Sequence, residues 1–235
     1  MSGHSKWATT RRAKAVTDAK RSNLFTKLAK NIAVAAREGA DPTMNFKLRI
    51  AVDKAKEFSM PKDNIERAIA RGSGQGGAQS VETILYEAYG PEGVALLIEG
   101  VTDNKNRSAG NVKAILSKNG GTLGSSGSVQ WQFNLQGVLT VKTSTLTDDQ
   151  ELQLIDAGAE DFIQLDDSMQ IISAPENLEK IKQQTHALNL ALSDAALEYR
   201  PKELITPTDP DRIIRLLELL EDDEDINNVY TNADV

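Results

Sequence analysis

The sequence predicts an α+β fold in which a helical domain precedes two α/β domains. Three observations predict it. Apolar residues recur at helical spacing up to about residue 71, and short strand-like runs separated by turns dominate from about residue 81. Between them lies the segment Gly72-Ser73-Gly74-Gln75-Gly76-Gly77, which has almost no side chain that can pack. We therefore expect a helical domain over residues 1–71 and a flexible linker over residues 72–77.

The helical domain is expected to contain amphipathic helices with one apolar stripe each. The first stripe ends near Gly39, and the Asp41-Pro42 pair that follows is typical of a helix end. A third helix is predicted to begin near Pro61, because proline suits the first helical turn. The stripes comprise Leu24, Phe25, Leu28, Ile32 and Ala36, then Leu48, Ala51, Val52, Ala55 and Phe58, then Ile65, Ala68 and Ile69.

The first α/β domain is expected to open with strands over residues 81–89 and 93–101, joined by the turn Gly90-Pro91-Glu92-Gly93. A helix over residues 106–118 and a strand over residues 129–133 are predicted to follow.

From residue 137 the predicted elements follow the β-α-β-β-α-β order of a ferredoxin-like unit. They are strands at 138–142, 161–165, 169–173 and 196–200, with helices at 148–157 and 175–188. The tail has a predicted helix at 209–220 and strand at 226–230, which alone cannot bury their apolar face. We expect the tail to return to the sheet of residues 81–134. Residues 78–134 and 205–235 then form one discontinuous domain, and residues 135–204 are a ferredoxin-like domain inserted in it.

Composition excludes several classes of site. The chain of 235 residues contains no cysteine, which removes disulfides, thiolate nucleophiles and cysteine-based zinc sites. Its apolar runs are all shorter than the roughly 18 to 20 residues of a membrane span, and the N-terminus lacks the apolar stretch of a signal peptide. His4 and His186 are the only histidines, and neither belongs to a nucleophile or metal-binding pattern. We expect a cytoplasmic protein without membrane attachment, catalysis, metal, cofactor or small-molecule substrate.

Charge is segregated along the chain. Residues 1–77 contain 16 Lys and Arg residues against 7 Asp and Glu residues, a net charge of +9, whereas residues 78–235 contain 11 against 27, a net charge of −16. Such asymmetry indicates a polyanionic partner for the basic part. The alternative is that these cations simply coat a solvated helical surface.

The candidate nucleic-acid contacts lie mainly in the first 37 residues, where nine Lys and Arg residues accompany one acid, Asp18. They are His4, Lys6, Trp7, Arg11, Arg12, Lys14, Lys20, Arg21, Lys27 and Lys30, with Lys54, Lys62, Lys105 and Arg107 as additional anion contacts. Trp7 is suited to stack on an unpaired base. Its alternative role is to pin the N-terminal arm to the helical core.

Three further segments have two interpretations each. Residues 120–128 resemble a phosphate loop in glycine content, but without a Gly-Lys-Ser/Thr ending they are interpreted as a structural turn. Residues 102–108 join a strand to a helix. One interpretation is that Asp103 or Asn106 caps the helix, and the other is that Lys105 and Arg107 extend an anion-binding surface. The acidic run of residues 222–225 lacks the alternating ligands of a calcium loop and is interpreted as a solvated helix end.

Long motifs give the sequence a strong resemblance to the YebC/PmpR family. They are Gly3-His4-Ser5-Lys6-Trp7-Ala8, Asp18-Ala19-Lys20-Arg21, Phe25-Thr26-Lys27-Leu28, Met60-Pro61-Lys62-Asp63-Asn64-Ile65-Glu66-Arg67-Ala68-Ile69, Tyr89-Gly90-Pro91, Thr102-Asp103-Asn104 and Gly127-Ser128-Val129. The resemblance covers essentially the whole chain and implies a three-domain architecture without catalysis. Residues 9–13 are less basic than the family pattern, notably at Ala13.

The resemblance leaves two functions open. Bacterial members are generally described as DNA-binding transcriptional regulators. Mitochondrial relatives and some bacterial members resemble ribosome-associated factors that bind ribosomal RNA and assist translation of proline-rich stretches. A third hypothesis is an interaction scaffold that binds no nucleic acid. The target, the direction of regulation and the oligomeric state stay open.

Overall fold

The computed structural model describes residues 18–74 and 81–235, without the side chains of residues 18–20 and 46. It consists of helices and two four-stranded antiparallel sheets, which confirms the α+β class. The described residues divide into two compact units. One comprises residues 18–74, 81–130, 206–229 and 235, and the other comprises residues 131–205 and 230–234. The predicted domain boundaries, including that of a separate helical domain, stay predictions.

The helical segment forms α1 (Asp18–Ala36), α2 (Phe46–Glu57) and α3 (Lys62–Gly72). Their buried stripes meet in one core, which comprises Leu28, Ile32, Ala36, Leu48, Val52, Ala55, Met60, Ile65 and Ala68. Asn45 fixes the connection between α1 and α2. Its side chain accepts from Leu48 N to cap α2 and donates to the carbonyls of Ala35 and Gly39, both at 2.7 Å. Phe58, predicted in the second stripe, instead follows the end of α2 and is 41% exposed.

Gly72 is part of a packed helix, so the prediction that it belongs to a flexible linker is wrong. It ends α3, and a Cβ built on it would lie 2.1 Å from the backbone oxygen of Ala33 in α1. The missing side chain therefore lets two helices approach closely. Residues 75–77 of the predicted linker lie outside the described residues.

The first sheet has the strand order β3-β1-β2-β8. Its strands are β1 (Glu82–Tyr89), β2 (Ala95–Thr102), β3 (Thr122–Leu123) and β8 (Ile226–Thr231), and its helices are α4 (Lys105–Lys118) and α7 (Pro210–Glu221). The hairpin of β1 and β2 turns through Glu92 and Gly93, both with positive φ. Because β8 lies beside β2, the prediction that the tail returns to this sheet is confirmed.

The second sheet has the strand order β5-β6-β4-β7. It is formed by β4 (Phe133–Val141), α5 (Asp148–Asp156), β5 (Ala159–Gln164), β6 (Met169–Ser173), α6 (Leu178–Ala187) and β7 (Leu192–Pro201). The first and third strands of this unit are central, which is the ferredoxin-like arrangement expected from the element order. Its core comprises Leu139, Val141, Leu154, Ala159, Met169, Ile171 and Ile181.

One predicted strand is wrong. Residues 129–133 do not form a strand of their own, since Gln130–Gln132 forms a 3₁₀ turn and β4 begins only at Phe133. The backbone amides of Val129 and Gln130 donate to the carboxylate of Glu87. They are therefore unavailable to a strand ladder.

We predict that Gly72→Ala destabilises the protein by about 2 kcal/mol, although alanine normally stabilises a helix by about 1 kcal/mol over glycine. The reason is the 2.1 Å approach of the added Cβ to Ala33 O. Urea unfolding of the purified variants measures the change. Gly110→Ala in α4 is the matched control, because a Cβ there has nothing within 4 Å, and it should stabilise by about 0.5–1 kcal/mol. Equal effects of the two variants would contradict the close helix packing.

Candidate nucleic-acid interface

Several predicted contacts lie outside the part of the chain that the structure describes: His4, Lys6, Trp7, Arg11, Arg12, Lys14 and the side chain of Lys20. Arg21 is the first whose side chain can be placed. It is exposed near the start of α1, and its guanidinium carbon lies 5.6 Å from the centroid of the Phe25 ring. This cation–π contact holds a positive charge at the surface of the helical segment.

Lys27 and Lys30 point toward the protein rather than toward solvent. The Lys27 ammonium donates to the carbonyl of Glu221. Lys30 is only 6% exposed, and its ammonium donates to the carbonyl of Glu224 at 2.9 Å and forms an ion pair with Asp225. The prediction of Lys30 as a phosphate contact is therefore wrong, because its charge is buried and already paired.

Asp225 is fully buried and accepts from three side chains. Lys30 binds its Oδ1, Arg107 Nη2 lies 3.1 and 3.0 Å from its two oxygens, and Ser108 Oγ donates to Oδ2 at 2.6 Å. Burial by itself raises the pKa of Asp225, but the donors from Lys30, Ser108 and Arg107 outweigh it, and the pKa lies below its ordinary value. The interpretation of residues 222–225 as a solvated helix end is thus wrong for Asp225.

The main chain around Asp225 also packs closely on β2. Its carbonyl accepts from Val101 N at 2.8 Å, and a Cβ added to Gly100 would lie 2.0 Å from that same oxygen. Only glycine permits this approach of the backbones. Asp225 therefore joins α1, α4 and β2 within one unit.

Arg107 and Lys105 are both ion-paired, which weakens them as anion contacts. Arg107 Nη2 lies 3.0 Å from Asp103, 3.0 Å from Asp225 and 3.8 Å from Glu224. The hydrogen bond to Asp225 raises the pKa of Arg107, so its charge is fixed. Lys105 Nζ lies 2.8 Å from Glu82, although the lysine side chain is 57% exposed.

The helix that follows β2 is capped by neither residue that the sequence suggested. Asn104 caps α4 by accepting from Arg107 N at 3.1 Å. Asp103 instead pairs with Arg71 at 3.1 Å and with Arg107. The expectation of a cap at Asp103 or Asn106 is therefore wrong by one or two positions.

The glycine-rich loop of residues 120–128 directs its amides at an internal anion. The carboxylate of Glu87 accepts from Gly127 N at 2.5 Å, Val129 N at 2.7 Å and Gln130 N at 2.8 Å. Burial by itself raises the pKa of Glu87, but the hydrogen bonds from these amides together outweigh it. The pKa of Glu87 therefore lies below its ordinary value. Since the donors are occupied, this geometry supports the interpretation of a structural turn rather than a phosphate loop.

The exposed cations of the helical segment are concentrated on α2 and α3. Lys47, Arg49, Lys54, Lys56, Lys62 and Arg67 are all exposed. Lys47 pairs with Glu38 at 2.6 Å, Lys56 with Asp53 at 3.2 Å and Lys62 with Glu66 at 3.4 Å. Exposed pairs of this kind contribute about 1 kcal/mol or less, so a phosphate can compete for such lysines. The predicted contacts Lys54 and Lys62 thus lie at the surface.

An open cleft of about 390 Å³ lies along α1 and α3. Its apolar floor consists of Phe25, Ala29, Met60 and Ala68. The polar groups that line it are Ser22, Thr26, Asn64, Arg67 and Arg71. Sequence reasoning assigned Phe25 to the core stripe and missed this cleft. The motif containing Asn64 and Arg67 was visible, but the meeting of two helices was not.

Two kinds of feature are absent from the described residues: a membrane-spanning helix and a cluster of metal ligands. None of their helices is both long and apolar enough to cross a membrane. No group of three or more His, Asp or Glu side chains in them is arranged to hold a metal ion.

Comparison with known proteins assigns the family. Residues 5–75 match the N-terminal domain of TACO1/YebC proteins, and residues 81–233 match the TACO1/YebC second and third domains. The chain belongs to the TACO1/YebC family. The resemblance seen in the sequence motifs is thereby confirmed.

TACO1/YebC relatives align over the full length of the chain. A protein named "Probable transcriptional regulatory protein" from Chloroflexus aggregans is 47% identical over 100% of this chain and 96% of its own. One with the same descriptive name from Caldanaerobacter subterraneus is 42% identical, over 100% and 99%. A crystal structure of a conserved hypothetical protein from Aquifex aeolicus superposes with a TM-score of 0.86 at 35% identity, covering 97% of this chain and 96% of that one.

We predict that Asp225→Asn destabilises the protein by about 3 kcal/mol or more, because it leaves the buried Lys30 ammonium without its anion. Chemical denaturation at neutral pH measures the loss. Glu224→Gln is the matched control, since Glu224 is about half exposed and lies 3.8 Å from Arg107. It should change stability by less than about 1 kcal/mol. A loss of similar size in both variants would contradict a special role of Asp225.

We also predict that the stability difference between the wild-type protein and Asp225→Asn depends on pH. The folded-state pKa of Asp225 is lowered, so its carboxylate contributes stability above its unfolded pKa of about 4. That contribution is lost as the pH falls through the lowered folded pKa. Unfolding titrations between neutral and acidic pH should give a constant gap above about pH 5 that narrows below about pH 4. A gap that widens with acid would contradict the direction of the shift.

Proposed function

We propose that this chain is a non-catalytic, nucleic-acid-binding regulator of gene expression that acts as a cytoplasmic, DNA-binding regulator of transcription. The names of its full-length relatives support regulation of transcription. The single observation that carries nucleic-acid binding is the +9 charge of residues 1–77 in a chain whose remainder is −16. A polyanion is attracted by the first part and repelled by the second, so the charges also orient the protein on its partner.

The proposed contact surface consists of the sequence-predicted residues, without those that bind an internal group. It comprises Lys6, Arg11, Arg12, Lys14, Lys20, Arg21, Lys54 and Lys62, with His4 and Trp7 beside them. Lys27, Lys30 and Arg107 are left out because each binds an internal carbonyl or carboxylate. Lys105 stays a candidate, because its pair with Glu82 is exposed, as is that of Lys62 with Glu66. Loss of condensed counterions on binding makes such a surface strongly dependent on salt.

A ribosome-associated translation factor that binds ribosomal RNA is the second candidate. The observation that favours it is the cleft between α1 and α3, which places an aromatic ring beside arginines at the surface. Folded RNA exposes unpaired bases for such a site, whereas B-DNA keeps its bases stacked. Crosslinking in cells followed by sequencing separates the two candidates. Enrichment at promoters without ribosomal RNA supports the first, and the reverse supports the second.

We predict that neutralising Arg11, Arg12, Lys14, Lys20 and Arg21 together to glutamine weakens binding and reduces its salt dependence. Each lost phosphate contact should lower the slope of log K against log salt by about 0.9 for duplex DNA or about 0.7 for a single strand. Fluorescence anisotropy with labelled DNA and RNA over a salt series measures this slope.

The matched control neutralises five exposed lysines of the acidic part of the chain: Lys113, Lys118, Lys142, Lys180 and Lys202. It has the same change in net charge but should leave the slope unchanged. If both quintuple variants weaken binding equally, net charge rather than a defined surface controls affinity. If neither variant alters binding, the proposed surface is wrong.

A further inference from the structure

We propose that the cleft between α1 and α3 is a binding site for one unpaired nucleotide, with its base against Phe25 and its phosphate beside Arg67 or Arg21. This inference rests on the proposed nucleic-acid binding and adds the class of ligand. It applies equally to single-stranded DNA and to unpaired RNA, because both present the same base and phosphate chemistry.

The size and lining of the cleft suit a nucleotide. Its volume of about 390 Å³ lies near the lower end of the roughly 300–1,000 Å³ of small-ligand pockets. A base has two apolar faces, and Phe25, Ala29 and Met60 provide an apolar floor against which one face can pack. The polar edge of the base can meet Ser22, Thr26 and Asn64, which line the same cleft. Phe25 is only half-buried, so part of its ring remains for stacking.

The charge of the cleft favours an anionic ligand over an apolar protein side chain. The described residues that line it include two arginines and no Asp or Glu. Arg71 is paired with Asp103 at 3.1 Å, but Arg67 forms no ion pair with a carboxylate within residues 18–74 and 81–235. Its guanidinium donates to the carbonyl of Asp63 at 3.2 Å and to the amide oxygen of Asn64. Its positive charge is thus held in place without being neutralised.

Arg21 adds a second cation next to the aromatic ring. Its guanidinium lies over Phe25, with 5.6 Å between the guanidinium carbon and the ring centroid. An aromatic ring flanked by cations is the arrangement that binds unpaired bases through stacking and their phosphates through charge. A base inside a duplex cannot enter the cleft, because its faces are covered by its neighbours. The site should therefore discriminate single strands from duplexes and base-bearing strands from abasic ones.

The test measures binding of the full-length chain to three probes of equal length: a single strand carrying 2-aminopurine, a fully abasic strand and a duplex. Phe25→Leu removes the aromatic ring while keeping an apolar side chain, and Phe25→Tyr keeps the ring. Phe58→Leu is the matched control, since Phe58 is an exposed aromatic residue of the same segment outside the cleft. Arg67→Gln tests the exposed cation without touching the apolar core.

Phe25→Leu should weaken binding of the base-bearing single strand by about 5- to 50-fold and leave the abasic strand unchanged. Phe25→Tyr should retain wild-type affinity and the quenching of 2-aminopurine, and Phe58→Leu should change neither. Arg67→Gln should lower the salt slope for the single strand by about 0.7. Thermal unfolding of each variant verifies that the helices remain folded.

Two failures are distinguishable. If the wild-type chain binds base-bearing and abasic strands equally, or if Phe25→Leu behaves as Phe58→Leu does, the cleft proposal is overturned while nucleic-acid binding stands. If the wild-type chain binds none of the probes in low-salt buffer, the proposed function itself is wrong.

Discussion

The buried carboxylate of Asp225 is the interaction on which the arrangement of the basic helices depends. Lys30 comes from α1, Arg107 and Ser108 come from α4, and the carbonyl of Asp225 bonds to β2. Removing these charges from water is costly, which offsets much of the stability that their pairing contributes. Each donor is satisfied only when α1, α4 and β2 are all in place. The helix that carries Arg21 and Phe25 is thereby held on the sheet by a geometry that tolerates little displacement.

Periodicity predicted the helices well because their stripes meet in one core. The same reasoning misplaced Lys30, and the reason lies in α1 itself. This helix buries a second face, where Ala33 packs with Val81 and Val101 of the sheet region. A pattern analysis that allows one buried face per helix assigns the second face to solvent. No property of Lys30 alone indicates that it is paired with a residue 195 positions away.

The longer strands were located from the sequence, but the short strand β3 was not predicted. The strand predicted over residues 129–133 was wrong, because backbone amides there bind a side chain instead of a neighbouring strand. Turn residues and alternating apolar residues located β1, β2 and β6. No sequence signal indicated that Glu87 is buried and bound to a loop. It is a buried acid in β1 whose partners are backbone amides some 40 positions later. The candidate interface divides in the same way. Its cations are visible in the composition, but the cleft forms only where α1 and α3 pack together, and no sequence pattern indicates that packing.

Glu87 also defines what the glycine-rich loop can do. A tethered carboxylate is present at a high effective concentration, so a free anion entering the loop has to compete with an intramolecular ligand. The three amides have the convergent geometry of an anion receptor, yet the receptor is saturated by the chain itself. The loop therefore binds a carboxylate of the chain itself, and this contact fastens residues 127–130 to β1. Its glycines allow the closed turn and do not form a site for a free anion.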